Sequence, residues 1–198
     1  MIRLFDFIFS TVGLLMMWPI GLILYIIGLF DTGKPIFIQE RVGKHKKPFN
    51  LYKFRTMDVS TKSVASHLAS QSSITKFGGF LRKTKLDELP QLFSLLTGKM
   101  SLIGYRPSQK SEKELNDERE YLNLHQIRPG ITGWAQVNGR DILAANPTLK
   151  AKYDGYYLSK ISIFLDIKIF FMTIKKVLFN KDIKDGTIDN NIDNHQST

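Results

Sequence analysis

A long run without any charged residue, Phe7–Phe30, constrains this chain more than any other feature of its sequence. About 20 apolar residues are enough to cross the hydrocarbon core of a membrane as a helix, and this run exceeds that length. It is also longer than the apolar region of a cleaved signal peptide, and no A-x-A-like cleavage site follows it. The run therefore predicts a membrane anchor that the mature protein keeps.

Two features of this anchor leave its path through the membrane open. Pro19 lies in the middle of the run, where it removes a helical hydrogen bond and favours a kink. Basic residues dominate the segment Lys34–Arg55, and an excess of lysine and arginine is typical of the cytoplasmic side. The segment before the run, with Arg3 and Asp6, is weakly positive as well. A kinked single crossing and a re-entrant hairpin with both ends in the cytoplasm fit these residues equally.

The composition narrows the choice of partners. A net charge of +10 and a pI near 9.7 indicate anionic partners, such as phosphorylated substrates, anionic lipids or nucleic acid. Nucleic acid is disfavoured because no zinc-finger, basic-zipper or RNP-type pattern is present. The sequence also lacks cysteine, a P-loop, a G-x-G-x-x-G turn and any zinc-like spacing of its histidines. Together with the anchor, these absences favour a membrane-associated phosphate, such as a lipid phosphate.

The segment Pro35–Met57 predicts a β-hairpin directly after the anchor. The stretches IFIQE and FNLYKFR read as two short strands, and the basic turn GKHKKP connects them. This turn fits a solvated hairpin and a contact with anionic lipid headgroups equally well.

Helical patterns occupy most of the remaining sequence, so the predicted fold class is α+β, mainly helical with a small β-hairpin or sheet. A helix is expected to begin near Thr84 and to run through ELPQLFSLL to Gly98. The segment Ile161–Phe179 has an apolar and a charged face, which favours an interfacial amphipathic helix over a core helix. The other expected segments are a polar loop (Ser60–Ser73), a turn, short strand and loop (GKMSLIGYRP), an exposed helix (Ser111–His125) and a glycine-rich loop (Arg128–Asp141).

Two adjacent carboxylates, Asp87 and Glu88, lie in the stretch TKLDELPQLF. Helix capping explains part of this pattern, because Thr84 and Asp87 fit the capping box and Pro90 suits a first turn. The alternative is chemistry on a phosphate. Carboxylates at a helix N-terminus beside the basic cluster Arg82–Lys85 are expected to stay ionised at neutral pH.

The geometry of a helix indicates how such a pair could divide its work. Neighbouring helical residues diverge by about 100°, so the two carboxylates are poorly placed to chelate one ion symmetrically. One carboxylate can face a substrate as a nucleophile while the other holds Mg²⁺, which prefers oxygen ligands. Several arginines could pair with phosphate oxygens: Arg55, Arg82, Arg106, Arg128 and Arg140.

Four long motifs, in this order along the chain, resemble those of a known enzyme family. They are YKFRTM, LRKTKLDELPQLFSLLTGKMSLIGYRP, RPGITGWAQVNGRD and YDGYYL. They are similar to the motifs of the bacterial sugar transferases, the small monotopic phosphoglycosyl transferases, which are also called polyprenyl-phosphate hexose-1-phosphate transferases. The resemblance extends over Ile2–Phe179.

The resemblance implies a reaction in which a sugar-1-phosphate moves from a UDP-sugar to a polyprenol phosphate, usually undecaprenyl phosphate, with release of UMP. Asp87 would form a covalent phosphosugar intermediate, and Glu88 would bind the required Mg²⁺. The polyprenol phosphate would then attack this intermediate, which gives ping-pong kinetics. The remaining positions that match functional residues of the family are Arg82, Arg106, Pro107, Lys53 or Arg55, and Asp154.

The resemblance also implies an architecture. Residues 1–33 would form a re-entrant helix–break–helix in contact with membrane lipids, with Pro19 at the break and both ends cytoplasmic. Residues 34–181 would form the catalytic domain on the cytoplasmic face of the bacterial inner membrane, and residues 182–198 a disordered polar tail. With one apolar segment before the catalytic region, the chain would correspond to the minimal form of the family.

One departure from the family pattern concerns Tyr105. The family commonly has Gly-Pro-Arg-Pro where this chain has Gly104-Tyr105-Arg106-Pro107, and the missing proline would have fixed a φ angle next to the nucleotide pocket.

Two other functions would use the membrane anchor together with the acidic pair or the basic surface. A membrane-anchored phosphohydrolase could employ the same acidic pair, and an inert membrane scaffold could recruit partners of glycan assembly through its basic surface.

Overall fold

The structure, a computed structural model, describes residues 2–61, 73–144 and 146–179, and a few side chains within these ranges, including that of Arg140, lie outside the description. The predicted fold class is confirmed, because helices predominate and the described strands form two small sheets. The predicted tail, 182–198, and most of the predicted polar loop lie outside the described residues. The helices are α1 (Ile2–Thr32), α2 (Lys76–Thr84), α3 (Leu92–Leu96), α4 (Lys113–Tyr121), α5 (Trp134–Ala144), α6 (Pro147–Ser159) and α7 (Ile163–Phe179); the strands are β1 (Ile36–Val42), β2 (Pro48–Phe54), β3 (Ser101–Ile103) and β4 (Gly130–Thr132).

The anchor is a single helix, α1, which continues through Pro19. Most of its apolar side chains are exposed, and its length and apolar composition are sufficient to cross a membrane. The predicted division into two helices is therefore not visible as an interruption of α1. Whether α1 crosses or re-enters a membrane stays a prediction.

One stripe of α1 is buried against the rest of the protein. Its members recur at helical spacing, so they lie on the same side of α1: Asp6, Ser10, Leu24 and Gly28. The Asp6 carboxylate accepts hydrogen bonds from the Ser101 hydroxyl (2.9 Å) and the Leu102 N–H (2.9 Å). Arg3 donates to the Leu96 carbonyl oxygen (2.6 Å) at the end of α3. The start of the anchor is thus bonded directly to β3 and α3.

The predicted hairpin is confirmed. Strands β1 and β2 pair antiparallel, with Arg41 opposite Phe49 and Phe37 opposite Lys53. Directly paired residues point to the same face of a sheet, so Arg41 and Lys53 share the face that carries the buried Phe49 and Leu51. The hairpin therefore turns two cations toward the core.

The helix predicted from Thr84 to Gly98 is confirmed over Leu86–Leu96, but its predicted start at Thr84 is wrong. Thr84 lies in the last turn of α2, which begins after the N-cap Thr75 and ends at Lys85 in a left-handed conformation (φ 60°). A 3₁₀ helix, Leu86–Gln91, and the short α3 follow. The physical reason is Pro90, which has no N–H to bond within an α-helix that starts at Thr84. The capping explanation for Asp87 fails with this helix.

Strand β4 and the start of α5 replace much of the predicted glycine-rich loop, Arg128–Asp141. Strands β3 and β4 are parallel, and α5 starts directly after β4. The Gly104 N–H donates to the Thr132 carbonyl oxygen (2.9 Å), and the Gly130 N–H donates to that of Tyr105 (2.8 Å). A Cβ atom on Gly130 would lie 2.2 Å from the Gly104 nitrogen, so only glycine permits this approach. The prediction of a loop missed this backbone pairing.

A buried ion pair joins α4 to α6. The Arg119 guanidinium donates to Asp154 (2.6 Å), and both side chains are almost completely buried. Arg119 also donates to the Arg106 carbonyl oxygen (3.0 Å) and lies over the Tyr105 ring, 4.7 Å from its centroid. The prediction of an exposed helix at Ser111–His125 is therefore wrong for one face of α4, because the Arg119 side chain on that face is buried.

Helix α7 has the predicted apolar face, but the opposite side, which was predicted to be polar, packs against the protein. Its core side includes the fully buried Ile169, and Thr173 shares a hydrogen bond with Thr132 (2.8 Å). Large apolar side chains on the other side are exposed: Ile163, Phe164, Ile167, Phe171, Ile174 and Val177. This exposure is consistent with the predicted interfacial helix, and the membrane contact itself stays a prediction.

Replacing Asp154 with asparagine is expected to lower the free energy of unfolding by about 3–5 kcal/mol, because Arg119 would be left as an uncompensated buried charge. A urea titration of the detergent-solubilised protein measures this. Glu120→Gln is the control, since Glu120 forms an exposed ion pair with Lys46 and its loss should change little. Equal stabilities of the two variants would contradict the structural role of Asp154.

Candidate active site

The acidic pair lies in the 3₁₀ helix Leu86–Gln91, which packs against β2. One carboxylate oxygen of Glu88, Oε1, accepts hydrogen bonds from Lys53 Nζ (3.0 Å) and Arg106 Nη2 (2.8 Å). The three side chains are mostly buried, with exposed fractions of 17% for Lys53, 17% for Glu88 and 28% for Arg106. The structure thus brings together four residues that the sequence singled out: Asp87, Glu88, Lys53 and Arg106.

Three separate elements deliver these side chains. Lys53 comes from the inner face of the hairpin, Glu88 from the 3₁₀ helix, and Arg106 from the loop after β3. The carbonyl oxygen of Arg106 is held by Arg119, and the preceding residues are held by the contact between β3 and β4. The position of the Arg106 guanidinium therefore depends on backbone bonds made on both sides of it.

The pKa of Glu88 lies well below its usual value. Burial alone would raise it, but the charges of Arg106 and Lys53 and the hydrogen bonds they donate outweigh the burial. Glu88 is therefore ionised throughout the neutral range, as the sequence predicted.

The pKa of Asp87 moves in the opposite direction. Burial raises it most, the neighbouring Glu88 charge raises it further, and the cations Lys53, Lys85 and Arg106 lower it only in part. That Asp87 is ionised at neutral pH stays a prediction, and its basic sequence neighbours do not lower its pKa overall. The reason is that its side chain is desolvated, which stabilises the protonated form.

The acidic pair has free oxygens that fit a divalent cation. Asp87 Oδ1 is buried and has no hydrogen-bond partner, and the described contacts of Glu88 use only Oε1. Within the described ranges, no group of three or more carboxylates, histidines or cysteines could hold a metal ion by itself. Mg²⁺ is commonly bound by one or two carboxylates, with substrate phosphates and water completing its shell. The donor set therefore fits Mg²⁺ together with a phosphorylated substrate.

The other predicted site residues are placed differently. Arg82 Nε donates to Thr56 Oγ1 (2.9 Å), near the start of the acidic segment. Arg55 Nε donates to the Lys34 carbonyl oxygen (2.8 Å) at the base of the hairpin. The choice between Lys53 and Arg55 thus falls on Lys53, because only Lys53 bonds Glu88 in the described structure.

Three further predictions have distinct outcomes. Asp154 contacts Arg119 rather than the acidic pair, so it supports Arg106 from behind. Pro107 contributes its carbonyl oxygen, which accepts a hydrogen bond from Arg41. No ion pair of Arg128 with the acidic pair is found among the described side chains, and the side chain of Arg140 lies outside them.

Sequence reasoning missed two residues beside this site, Arg119 and Arg41. Arg119 lies in a strongly charged segment that predicted a solvated helix. The sequence feature that could have indicated its burial is its spacing to Leu115. Residues four positions apart lie on one face of a helix, and here both are buried. Arg41 was counted only as part of a basic segment, yet it shares the inner face of the hairpin with Lys53. The alternation of the strand could have revealed this.

Tyr105, the departure from the family pattern, is almost fully buried at 1% exposure. Its ring lies between Arg119 and His125, with ring centroids of Tyr105 and His125 5.8 Å apart. Packing therefore fixes the loop before Arg106 in place of a proline ring.

Comparisons with known proteins identify the family of this chain. A sequence profile described as "Bacterial sugar transferase" matches residues 1–180. The chain is 38% identical over 188 residues to the uncharacterized sugar transferase EpsL of Bacillus subtilis, covering 92% of this chain and 89% of that protein.

Two relatives with named activities are longer than this chain. The UDP-N-acetylgalactosamine-undecaprenyl-phosphate N-acetylgalactosaminephosphotransferase of Aeromonas hydrophila is 39% identical over 77% of this chain and 37% of that protein. The UDP-glucose:undecaprenyl-phosphate glucose-1-phosphate transferase of Escherichia coli is 38% identical over 89% of this chain and 40% of that protein. The chain therefore spans well under half the length of these two relatives. From the profile match and these identities, it belongs to the bacterial sugar transferase family.

Proposed function

We propose that this protein transfers a sugar-1-phosphate from a UDP-sugar to undecaprenyl phosphate and releases UMP, the first step in building a glycoconjugate. One observation carries the proposal: Glu88 is held between Lys53 and Arg106, and beside it Asp87 presents a buried oxygen without a partner. The activities named for the relatives in Aeromonas hydrophila and Escherichia coli support the same chemistry.

Asp87 is the proposed nucleophile. An oxygen of its carboxylate attacks the phosphorus of the sugar-linked phosphate, the bond from that phosphorus to the UMP oxygen breaks, and UMP leaves with the electron pair. An oxygen of undecaprenyl phosphate then attacks the same phosphorus, and the Asp87 carboxylate departs. The raised pKa of Asp87 suits this role, because a more basic carboxylate is a stronger nucleophile once it is ionised.

Glu88 is the proposed ligand of Mg²⁺, assisted by the free oxygen of Asp87. The ion would supply positive charge to neutralise the phosphate oxygens when it is bound. Arg106 and Lys53 keep Glu88 ionised and fix the direction of its carboxylate. Arg82 and Pro107 remain proposed contributors to nucleotide binding, and Arg128 and Arg140 are weaker candidates.

The proposed location is the cytoplasmic face of the bacterial inner membrane. Helix α1 would enter the bilayer and turn back near Pro19, so that both of its ends lie on the cytoplasmic side. The exposed apolar side of α7 would lie in the membrane interface. Basic residues that follow α1 support the cytoplasmic orientation. This placement lets a lipid phosphate approach the site from the membrane surface.

Asp87→Asn is expected to abolish UMP release, by a factor of about 10⁴ or more, because an amide cannot replace a carboxylate nucleophile. The assay uses detergent-solubilised protein, Mg²⁺, undecaprenyl phosphate and a panel of UDP-sugars. Asp117→Asn is the control, because Asp117 is exposed on α4. UMP release that does not depend on the lipid would indicate a hydrolase, and no release by wild type from any donor would favour an inert scaffold.

Without the lipid acceptor, wild type is expected to release about one UMP per active site and to retain the sugar phosphate covalently. Intact-protein mass spectrometry measures the added mass, and peptide mapping should place it on Asp87. Adding undecaprenyl phosphate should remove the adduct. Turnover without any adduct, even after rapid acid quenching, would argue for direct transfer between the two substrates.

Lys53→Met is expected to move the acidic limb of the pH profile of kcat/KM to higher pH. The charge of Lys53 lowers the pKa of Asp87, so its removal should raise that pKa further. Because the ionised carboxylate is the reactive form, the variant should lose more activity at pH 6 than at pH 8. An acidic limb at the same pH as in wild type would show that Lys53 does not tune Asp87.

A further inference from the structure

A second group of cations lies beside Arg106, outside the contacts with the acidic pair. Arg41, on the inner face of the hairpin, donates from Nη1 to the Pro107 carbonyl oxygen (3.2 Å). The same nitrogen lies 3.7 Å from Glu112 Oε1. Arg41 is therefore bonded to the residue that follows Arg106 and reaches the start of α4.

The bonding of Arg41 is incomplete. Its Nε is buried and has no hydrogen-bond partner, and the side chain is only 14% exposed, so water reaches little of it. Burial and the nearby charge of Arg106 lower the pKa of Arg41 to about 10, while Glu112 and Glu88 only partly oppose this. Gln109 adds a second buried donor without a partner, its Nε2, in the loop between Pro107 and α4.

Lys150, on α6, is a further cation near this group. It lies one helical turn before Asp154, so both residues point to the side of α6 that packs against α4. Its ammonium forms no ion pair or hydrogen bond within the described part of the chain. Burial lowers the pKa of Lys150 to about 8; the charged groups that also act on it are Arg119, Glu112, Asp154 and Arg106.

The carboxylates near these two cations are already engaged. Glu88 is bonded by Lys53 and Arg106, and Asp154 by Arg119. Glu112 is the carboxylate that Arg41 and Lys150 share, and its Oε1 also accepts the Gln109 N–H (2.8 Å). Partly buried cations without enough counter-charge favour binding of an anion. Guanidinium and ammonium groups are the usual donors to phosphate oxygens.

We propose that Arg41, bonded to Pro107, and Lys150, on α6, form a second phosphate subsite that binds the UMP phosphate of the donor. This inference rests on the proposed function and adds residues to it. The attacked phosphate must lie at Asp87, and the UMP phosphate is joined to it through one bridging oxygen. The UMP phosphate therefore has to lie next to the acidic pair, and Arg41 Nε and Gln109 Nε2 are the buried donors without partners in the segments beside Pro107. Arg41 and Lys150 would also offset the negative charge that UMP gains as it leaves.

The test compares binding of UMP and of uridine by isothermal titration calorimetry to the detergent-solubilised full chain. Arg41→Gln and Lys150→Gln are each expected to weaken UMP binding about ten-fold or more, the loss typical of one charge-assisted hydrogen bond. Binding of uridine, which lacks the phosphate, should not change. Lys46→Gln is the matched control, because it removes an exposed cation from the turn of the same hairpin.

A second arm uses pH and a conservative variant. Since the pKa of Lys150 is about 8, UMP affinity of wild type should fall as the pH rises from 8 to 9.5 and Lys150 loses its proton. Lys150→Arg should bind UMP at neutral pH and keep its affinity over this range, because arginine stays protonated. A purely structural role of Lys150 would not produce this difference. Thermal unfolding of each variant shows whether the fold is intact.

Each outcome bears on one of the two proposals. Unchanged UMP affinity in both glutamine variants, with normal transferase activity in wild type, would overturn the subsite and leave the transferase proposal standing. If the variants bind UMP more weakly but the wild-type protein transfers no sugar phosphate, the subsite is supported and the transferase proposal is overturned. A raised KM for undecaprenyl phosphate with unchanged UMP affinity would assign the two cations to the lipid phosphate, which also overturns the proposal as stated.

Discussion

The double hydrogen bond to Glu88 Oε1 is the interaction on which the candidate site depends. Lys53 and Arg106 come from segments far apart in the chain and meet on a single oxygen atom. Their charges keep Glu88 ionised in a mostly buried position, where burial alone would raise its pKa. The same two cations only partly offset the burial of Asp87. Asp87 and Glu88 therefore differ in basicity, which suits the proposed roles of Asp87 as nucleophile and Glu88 as metal ligand.

Behind this oxygen, a chain of contacts fixes Arg106. Asp154 holds Arg119, and Arg119 holds the carbonyl oxygen of Arg106 while lying on the Tyr105 ring. On the opposite side, glycine-dependent bonds between β3 and β4 hold the backbone just before it. A guanidinium that must align with a carboxylate gains precision from such support, because its own side chain has many rotamers.

Some of the fold could be predicted from sequence because local patterns determined it. The hairpin at Ile36–Phe54 follows from two short strands around a turn, and the apolar face of α7 follows from helical periodicity. The segment at Thr84 could not be read this way. A capping box and a proline both indicated a helix start at Thr84, whereas in the folded chain Thr84 lies at the end of α2 and a 3₁₀ helix packs against β2.

The candidate site was predictable in part. The motif resemblance pointed to Asp87, Glu88 and Arg106, and the structure brings these three together. The burial of Arg119 was not predictable from composition, since a charged helix normally faces water and its partner Asp154 lies 35 positions away. The raised pKa of Asp87 was hidden for the same reason, because desolvation depends on neighbours that only the folded chain supplies.

The buried stripe of α1 fixes how the anchor helix is rotated about its own axis relative to the rest of the protein. Asp6 and Leu24 contact the protein at opposite ends of the helix, and they do so from one side. Each residue added between them would turn one contact about 100° away from the other. Only changes close to whole turns would keep both contacts in phase. Insertions that lengthen α1 are therefore tolerated only in multiples of about one turn, and the active site then keeps its orientation around the axis of α1.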